Sequence, residues 1–136
     1  MKYKLFIFAF SFIFFSQVDI LRAQNQPEDQ VNRFFATYQN SPNEALDELF
    51  ASNKWMMENQ GNLNEVKVKL NNILPLIGKF QGFEKISEIN KGESLIQLIY
   101  FGKYERQPLR YIFLFYKPSD KWMIFNFLFD DNILED

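Results

Sequence analysis

Cysteine and histidine are both absent from the 136 residues. The first absence excludes disulfides, thiolate metal sites and a cysteine nucleophile. The second removes the commonest general base and the usual zinc ligand. A surplus of positive charge is missing as well. Three of the 15 basic residues (Lys2, Lys4, Arg22) and one acid, Asp19, fall in the first 23 positions, leaving 12 basic and 16 acidic residues, a net charge of −4. Neutralising phosphates needs a basic surface, so a nucleic-acid partner is not expected. No internal repeat, low-complexity tract or linker interrupts the chain. It reads as one domain over 24–136, long enough for a real core.

The first 23 residues have the layout of a secretory signal peptide. Met1-Lys2-Tyr3-Lys4 is a basic start, Leu5 to Ser16 is a 12-residue apolar run with six Phe, and Ala23 is a small residue before a cut. The run falls short of the roughly 20 residues of a spanning helix. With no Cys after it, a lipid-modified anchor is ruled out. Cleavage after Ala23, a periplasmic or secreted location and no stable membrane anchor afterwards are the expectations.

Three helices are expected next. Pro27 suits a first helical position, with Glu28 and Asp29 in the first turn. Val31, Phe34, Phe35 and Tyr38 form one apolar stripe, and Asn40 ends it. Ser41 and Glu44 make a capping box for a second helix with Ala45, Leu46, Leu49 and Phe50 inward. Residues 52–61 read as a loop or a short helical turn. Asn62 is expected to cap a third helix, with Leu63, Val66, Leu70, Ile73 and Ile77 on its apolar face. Pro75 should kink it or stop it near Ile73, and Gly78 is its last stop.

Beyond Gly82 the period turns strand-like. Strands are expected over Phe83–Asn90, Ser94–Tyr104, Leu109–Lys117 and Lys121–Phe129, separated by turn signals at Asn90-Lys91-Gly92, Glu105–Pro108 and Pro118-Ser119-Asp120. Between Leu95 and Phe129, 11 of 35 residues are aromatic, which suits sheet. Helices followed by strands spell an α+β fold with helices on one face of an antiparallel sheet.

If Tyr116 faces Trp122 across the last hairpin, Ile112, Leu114, Tyr116, Trp122, Ile124, Asn126 and Leu128 share one face. Tyr111, Phe113, Phe115, Met123, Phe125, Phe127 and Phe129 then share the other. Both are largely apolar, so something should cover each. One meets the helices; the second is open to a homodimer contact or to cover by the loop between the second and third helices. Arg110 and Asn126 are the polar entries on the first of these faces. With Tyr116 and Trp122 they form the candidate ligand-binding set, a pocket whose few polar groups would orient a ligand. The bland alternative has Asn126 bonding nearby backbone and Arg110 reaching solvent. Tyr100, Tyr104 and Arg106 could line a cavity mouth. Trp55, Met56 and Met57 read as loop packing or an adaptable contact surface. Asp130-Asp131-Asn132 lacks the ligand spacing of a calcium loop and reads as a solvated acidic tail. Neither a metal nor a cofactor is expected.

Leu76-Ile77-Gly78 leading into Phe80-Gln81-Gly82, and Asp120-Lys121-Trp122 followed by Ile124, Phe125 and Phe127, lie in an order that resembles the nuclear transport factor 2-like superfamily. The resemblance covers Pro27 to Asn132. It implies a cystatin-like cone: three N-terminal helices packed on a curved, four-stranded antiparallel sheet, with a cavity between. The superfamily includes ketosteroid isomerases, polyketide cyclases, dehydratases, transport adaptors and many secreted domains, so the fold does not choose among them. The expected function is a secreted, non-enzymatic domain that binds a small apolar ligand or a protein partner. The alternative implied by the resemblance is an acid–base isomerase or cyclase using Asp or Glu with Tyr, although no residue matches that catalytic set by motif.

Overall fold

The computed structural model describes residues 25–134; the expected export signal and its cleavage site lie outside them. Among the described residues four helices precede four strands, an α+β order. Helix α1 is Pro27–Tyr38 and α2 is Pro42–Phe50. Both follow from local chemistry. Pro27 opens α1 with Glu28 and Asp29 in its first turn, and Val31, Phe34, Phe35 and Tyr38 are buried. Ser41 caps α2 by accepting from the Glu44 N–H, with Ala45, Leu46, Leu49 and Phe50 inward as the spacing requires. The ambiguous stretch after α2 holds a one-turn helix, α3 (Lys54–Glu58). Asn53 caps it, accepting from the N–H groups of Trp55 and Met56.

Helix α4 (Gln60–Ile77) starts before the expected Asn62 cap and runs through Pro75. Proline removes one bond to the preceding turn, yet the last carbonyls find partners elsewhere. The Arg106 guanidinium donates to Leu76 O at 3.0 Å and the Arg106 N–H to Ile77 O at 3.0 Å. The turn after the second strand thus holds the helix end. Gly78, at φ +89°, then reverses the chain into the sheet.

The sheet is an antiparallel meander in the order β1 (Phe80–Lys91), β2 (Leu95–Tyr104), β3 (Leu109–Tyr116), β4 (Met123–Asp130). Strand β1 begins three residues earlier than expected. The remaining boundaries fall within two residues of the expected ones. Bulges interrupt β1 before Gly82 and at Ile86, and β4 at Phe125. The inner face packs on the helices as a continuous aromatic layer. Phe35 stacks on Phe83 with ring centroids 4.3 Å apart, and Phe34 meets Phe113 edge-on at 5.3 Å. Gly102 lies under this layer: a Cβ there would sit 2.6 Å from the Tyr111 ring, so only glycine lets that ring lie flat on β2.

The free edge of β4 is closed by side chains from the helical layer. Ser52 Oγ accepts the Ile124 N–H at 3.0 Å, and Asn53 Nδ2 donates to Ile124 O at 2.7 Å. Gln30 Nε2 donates to Trp122 O at 3.1 Å. An exposed edge is a template for unwanted pairing, and these bonds cover its start. Among the described residues no helix is long and apolar enough to cross a membrane.

Candidate functional site

The bulge at Phe125 decides which residues share a face. Ile124 pairs with Phe115 and Asn126 with Leu114, so Phe125 is the extra residue. Tyr116 pairs with Met123, not Trp122. The sequence reading of the last hairpin is therefore corrected at four positions. Ile124 joins the buried side and Met123 the outer side. Trp122 precedes the strand, half-buried against the core, with Lys117 Nζ 5.0 Å from its ring centroid. Phe125 leaves the inner face and turns its ring edge-on to Tyr116 at 6.2 Å.

The outer face is a grid of cross-strand rows. Glu84, Phe101, Arg110 and Asp130 form the first row. Ser87, Ile99, Ile112 and Leu128 form the second. Ile89, Gln97, Leu114 and Asn126 form the third. Lys91, Leu95, Tyr116 and Met123 form the fourth. None of these side chains is buried, and the four described helices lie on the opposite side. Phe125 is 53% exposed and Leu128 51%. Apolar side chains from all four strands thus stand partly or largely exposed on this face.

Three of the four candidate ligand residues, Arg110, Tyr116 and Asn126, share this face; Trp122 does not. Arg110 meets Asp130 as a bidentate pair, Nε to Oδ1 at 2.9 Å and Nη2 to Oδ2 at 2.8 Å. Those hydrogen bonds, with one from the Asn132 N–H, hold the Asp130 carboxyl below its usual range. Arg110 is thus paired within the row. Asn126 Oδ1 accepts the Phe127 N–H at 2.9 Å, a local backbone bond of the kind the bland reading anticipated. Sequence reasoning overlooked Glu84, Ile99 and Phe101 on the first two strands. The alternation of β2 marks Ile99 and Phe101, but Glu84 needs the position of the Ile86 bulge.

The inner face holds a second polar constellation, also missed. The hydroxyls of Tyr38, Tyr104 and Tyr111 form a closed buried ring, with O–O distances of 2.6, 2.8 and 2.5 Å. Three hydroxyls carry three protons, and three bonds use them all. No donor is left over to polarise a substrate oxygen. Among the described residues no carboxylate is buried, and none bonds to these hydroxyls. Tyr100, expected at a cavity mouth, is buried with its hydroxyl unpartnered, Tyr104 belongs to the ring, and Arg106 caps α4. Met56 and Met57 pack on the core, whereas Trp55 is exposed. Among the described residues no cluster of acids could hold a metal ion. An open groove of about 220 Å³ lies between α1 and α2, lined by Gln30, Arg33, Phe34, Glu48 and Ser52 among others.

Burial, first of all, raises the hydroxyl pKa of each ring member, Tyr111 well above its ordinary value, and pushes Tyr100 up to about 12. A tyrosine whose folded pKa is raised stabilises the fold fully below about pH 10. That stability is lost as pH climbs through the folded value. In an alkaline titration followed at 295 nm, these four tyrosines should ionise together in one step that coincides with loss of circular dichroism. Independent, smooth ionisation near pH 10 with the fold intact would contradict the buried ring.

No family model matches the chain, and neither does any curated protein or solved structure.

Proposed function

We propose that this chain is a small exported, non-enzymatic domain of the nuclear transport factor 2-like kind that works by holding a protein partner on the open face of its sheet. The observation that carries this reading is the contrast between the two faces. On the inner face, where the superfamily cone would keep its cavity, aromatic rings stand in mutual contact from Phe35 and Phe83 through to Phe127 and Phe129. On the outer face, apolar side chains stand uncovered by any described helix. The order of elements, helices and then a four-stranded meander, supports the superfamily reading. Of the two ligand classes expected from sequence, a protein fits a broad, gently apolar surface better than a small molecule, which needs a concave site.

Native mass spectrometry of the full-length chain, expressed with its own leader and collected from outside the cytoplasm, tests this reading. It should show the chain within a protein assembly and carrying no small-molecule mass. A reproducible small-molecule increment would contradict it. So would a bare monomer at every concentration.

A further inference from the structure

Resting on that reading, we infer that the protein partner joins through an extended segment that pairs antiparallel with the free edge of β1 over residues 87–91, adding a fifth strand beside the open face. The two edges of the sheet differ. At β4, side chains take up outward backbone groups. Ser52 and Asn53 hold the N–H and carbonyl of Ile124, Gln30 holds the Trp122 carbonyl, and Asn126 Oδ1 accepts the Phe127 N–H. Among the described residues no hydrogen bond other than the ladder to β2 reaches the backbone of residues 87–91.

The ladder fixes which groups face out. Both backbone groups of Ile124 point away from β3, so Phe115 opposite turns its own toward β2. In an antiparallel ladder these directions alternate residue by residue. Phe115 pairs with Ile96, and Ile96 pairs with Asn90 on β1. The N–H and carbonyl of Asn90, and by alternation those of Glu88, therefore face the free edge. Those of Ser87, Ile89 and Lys91 face β2. Such a row of uncommitted donors and acceptors is the template that strand addition uses. The bulge at Ile86 ends it on one side and the turn at Gly92 on the other.

Side chains along the run set the chemistry of the segment. Ile89 and Lys91 both stand on the open face, and Ile89 is 45% exposed. Lys91 is exposed and has no ion-pair partner among the described residues. A residue opposite Ile89 would lie in a non-hydrogen-bonded pair, where side chains approach closest and apolar contact is favoured. A residue opposite Lys91 would meet an unanswered positive charge. The segment is thus a strand in which an acid stands two residues before an apolar residue, both turned to the open face. These two residues lengthen the fourth and third rows by one position each. A second copy of β1 does not supply that pattern: paired about Ile89, it would set Ser87 against Lys91.

Hydrogen exchange and peptide binding by the full-length chain, collected after export, provide the test. In the free chain the Glu88 and Asn90 N–H groups should exchange fast and those of Ser87 and Ile89 slowly. The probe is a capped six-residue peptide of alternating threonine and valine, with a glutamate placed to meet Lys91. It should bind saturably and slow exchange at Glu88 and Asn90. Asn90→Pro removes one outward N–H and no bond to β2, a change an edge strand tolerates, and should weaken binding about tenfold. Methylating the peptide nitrogens opposite Glu88 and Asn90 should do the same without altering the protein, so the result stands even if the proline variant does not fold. Lys91→Glu should weaken binding about threefold, and a lysine in place of the peptide glutamate should restore it.

Protection of Glu88 and Asn90 in the free chain, no saturable binding, or equal binding of the methylated peptide would overturn the inference. If the chain stands in a protein assembly that Asn90→Pro leaves intact, the edge pairing is wrong and the open-face reading survives. If it assembles with nothing and binds no peptide, both fall. A parent dimer that Asn90→Pro dissolves would make the occupant a second copy and overturn the inference as well.

Discussion

Replacing Phe113 by alanine is expected to cost about 3–5 kcal/mol of stability. Phe113 is fully buried at the centre of β3, with its ring between those of Phe34, Phe35, Tyr100 and Phe127 at centroid distances of 5.3 to 6.0 Å. Those four rings come from α1, β2 and β4, so no single element can move to fill the hole. The matching change on the outer face, Leu128→Ala, removes a side chain already 51% exposed and should cost less than about 1 kcal/mol. Urea unfolding of both variants measures the difference. Equal losses would mean that the two faces are equally covered in the free chain, and the asymmetry on which the functional reading stands would be gone.

Asn53→Ala is the second large effect, at about 2–4 kcal/mol. One side chain performs two tasks there. Its amide nitrogen donates to Ile124 O on the edge of β4, and its oxygen accepts the Trp55 and Met56 N–H groups at the start of α3. Asn53 is 4% exposed, so the groups it leaves behind cannot all turn to water. Asn53→Asp keeps the acceptor for α3 and loses the donor to β4, so its loss should differ from that of alanine. Hydrogen exchange read at Ile124 and Met56 separates the tasks. Alanine should speed exchange at both, whereas aspartate should leave Met56 protected. Faster exchange at Met56 alone in the alanine variant would show that β4 does not depend on this contact.

What was legible in the sequence follows the range of the interactions. The Ser41 cap, the apolar stripes of α1 and α2 and the alternation of β2 are fixed by neighbours within a few residues, and all were readable. The Asn62 cap was misplaced because the Asn59–Asn62 cluster offers more than one residue able to end a turn. Pro75 reads locally as a stop, but the carbonyls beyond it are held by Arg106, almost thirty residues away. The faces of the last hairpin were misassigned at Met123 and Ile124 because one bulged residue shifts everything on one side of it. No composition marks Phe125 as that residue. The tyrosine ring joins three elements, and its members look like ordinary half-polar strand and helix residues until the fold brings them together.

The candidate site was half legible for the same reason. The apolar character of both sheet faces was plain from β3 and β4, and Arg110, Tyr116 and Asn126 do share the uncovered one. Trp122 stands apart because β4 begins at Met123, two residues later than expected and just past the tryptophan. The ion pair that occupies Arg110 depends on the register between β3 and β4, and the bulge at Ile86 is what sets Glu84 and Lys91 on the same face of β1.

Site-specific photocrosslinking tests the central claim, that the open face is the working surface, most directly. A photoreactive phenylalanine at Tyr116, in the fourth row, should yield a protein adduct under native conditions. The same group at Lys69, exposed on α4, should yield none. Adducts at Lys69 and none at Tyr116 would contradict the account.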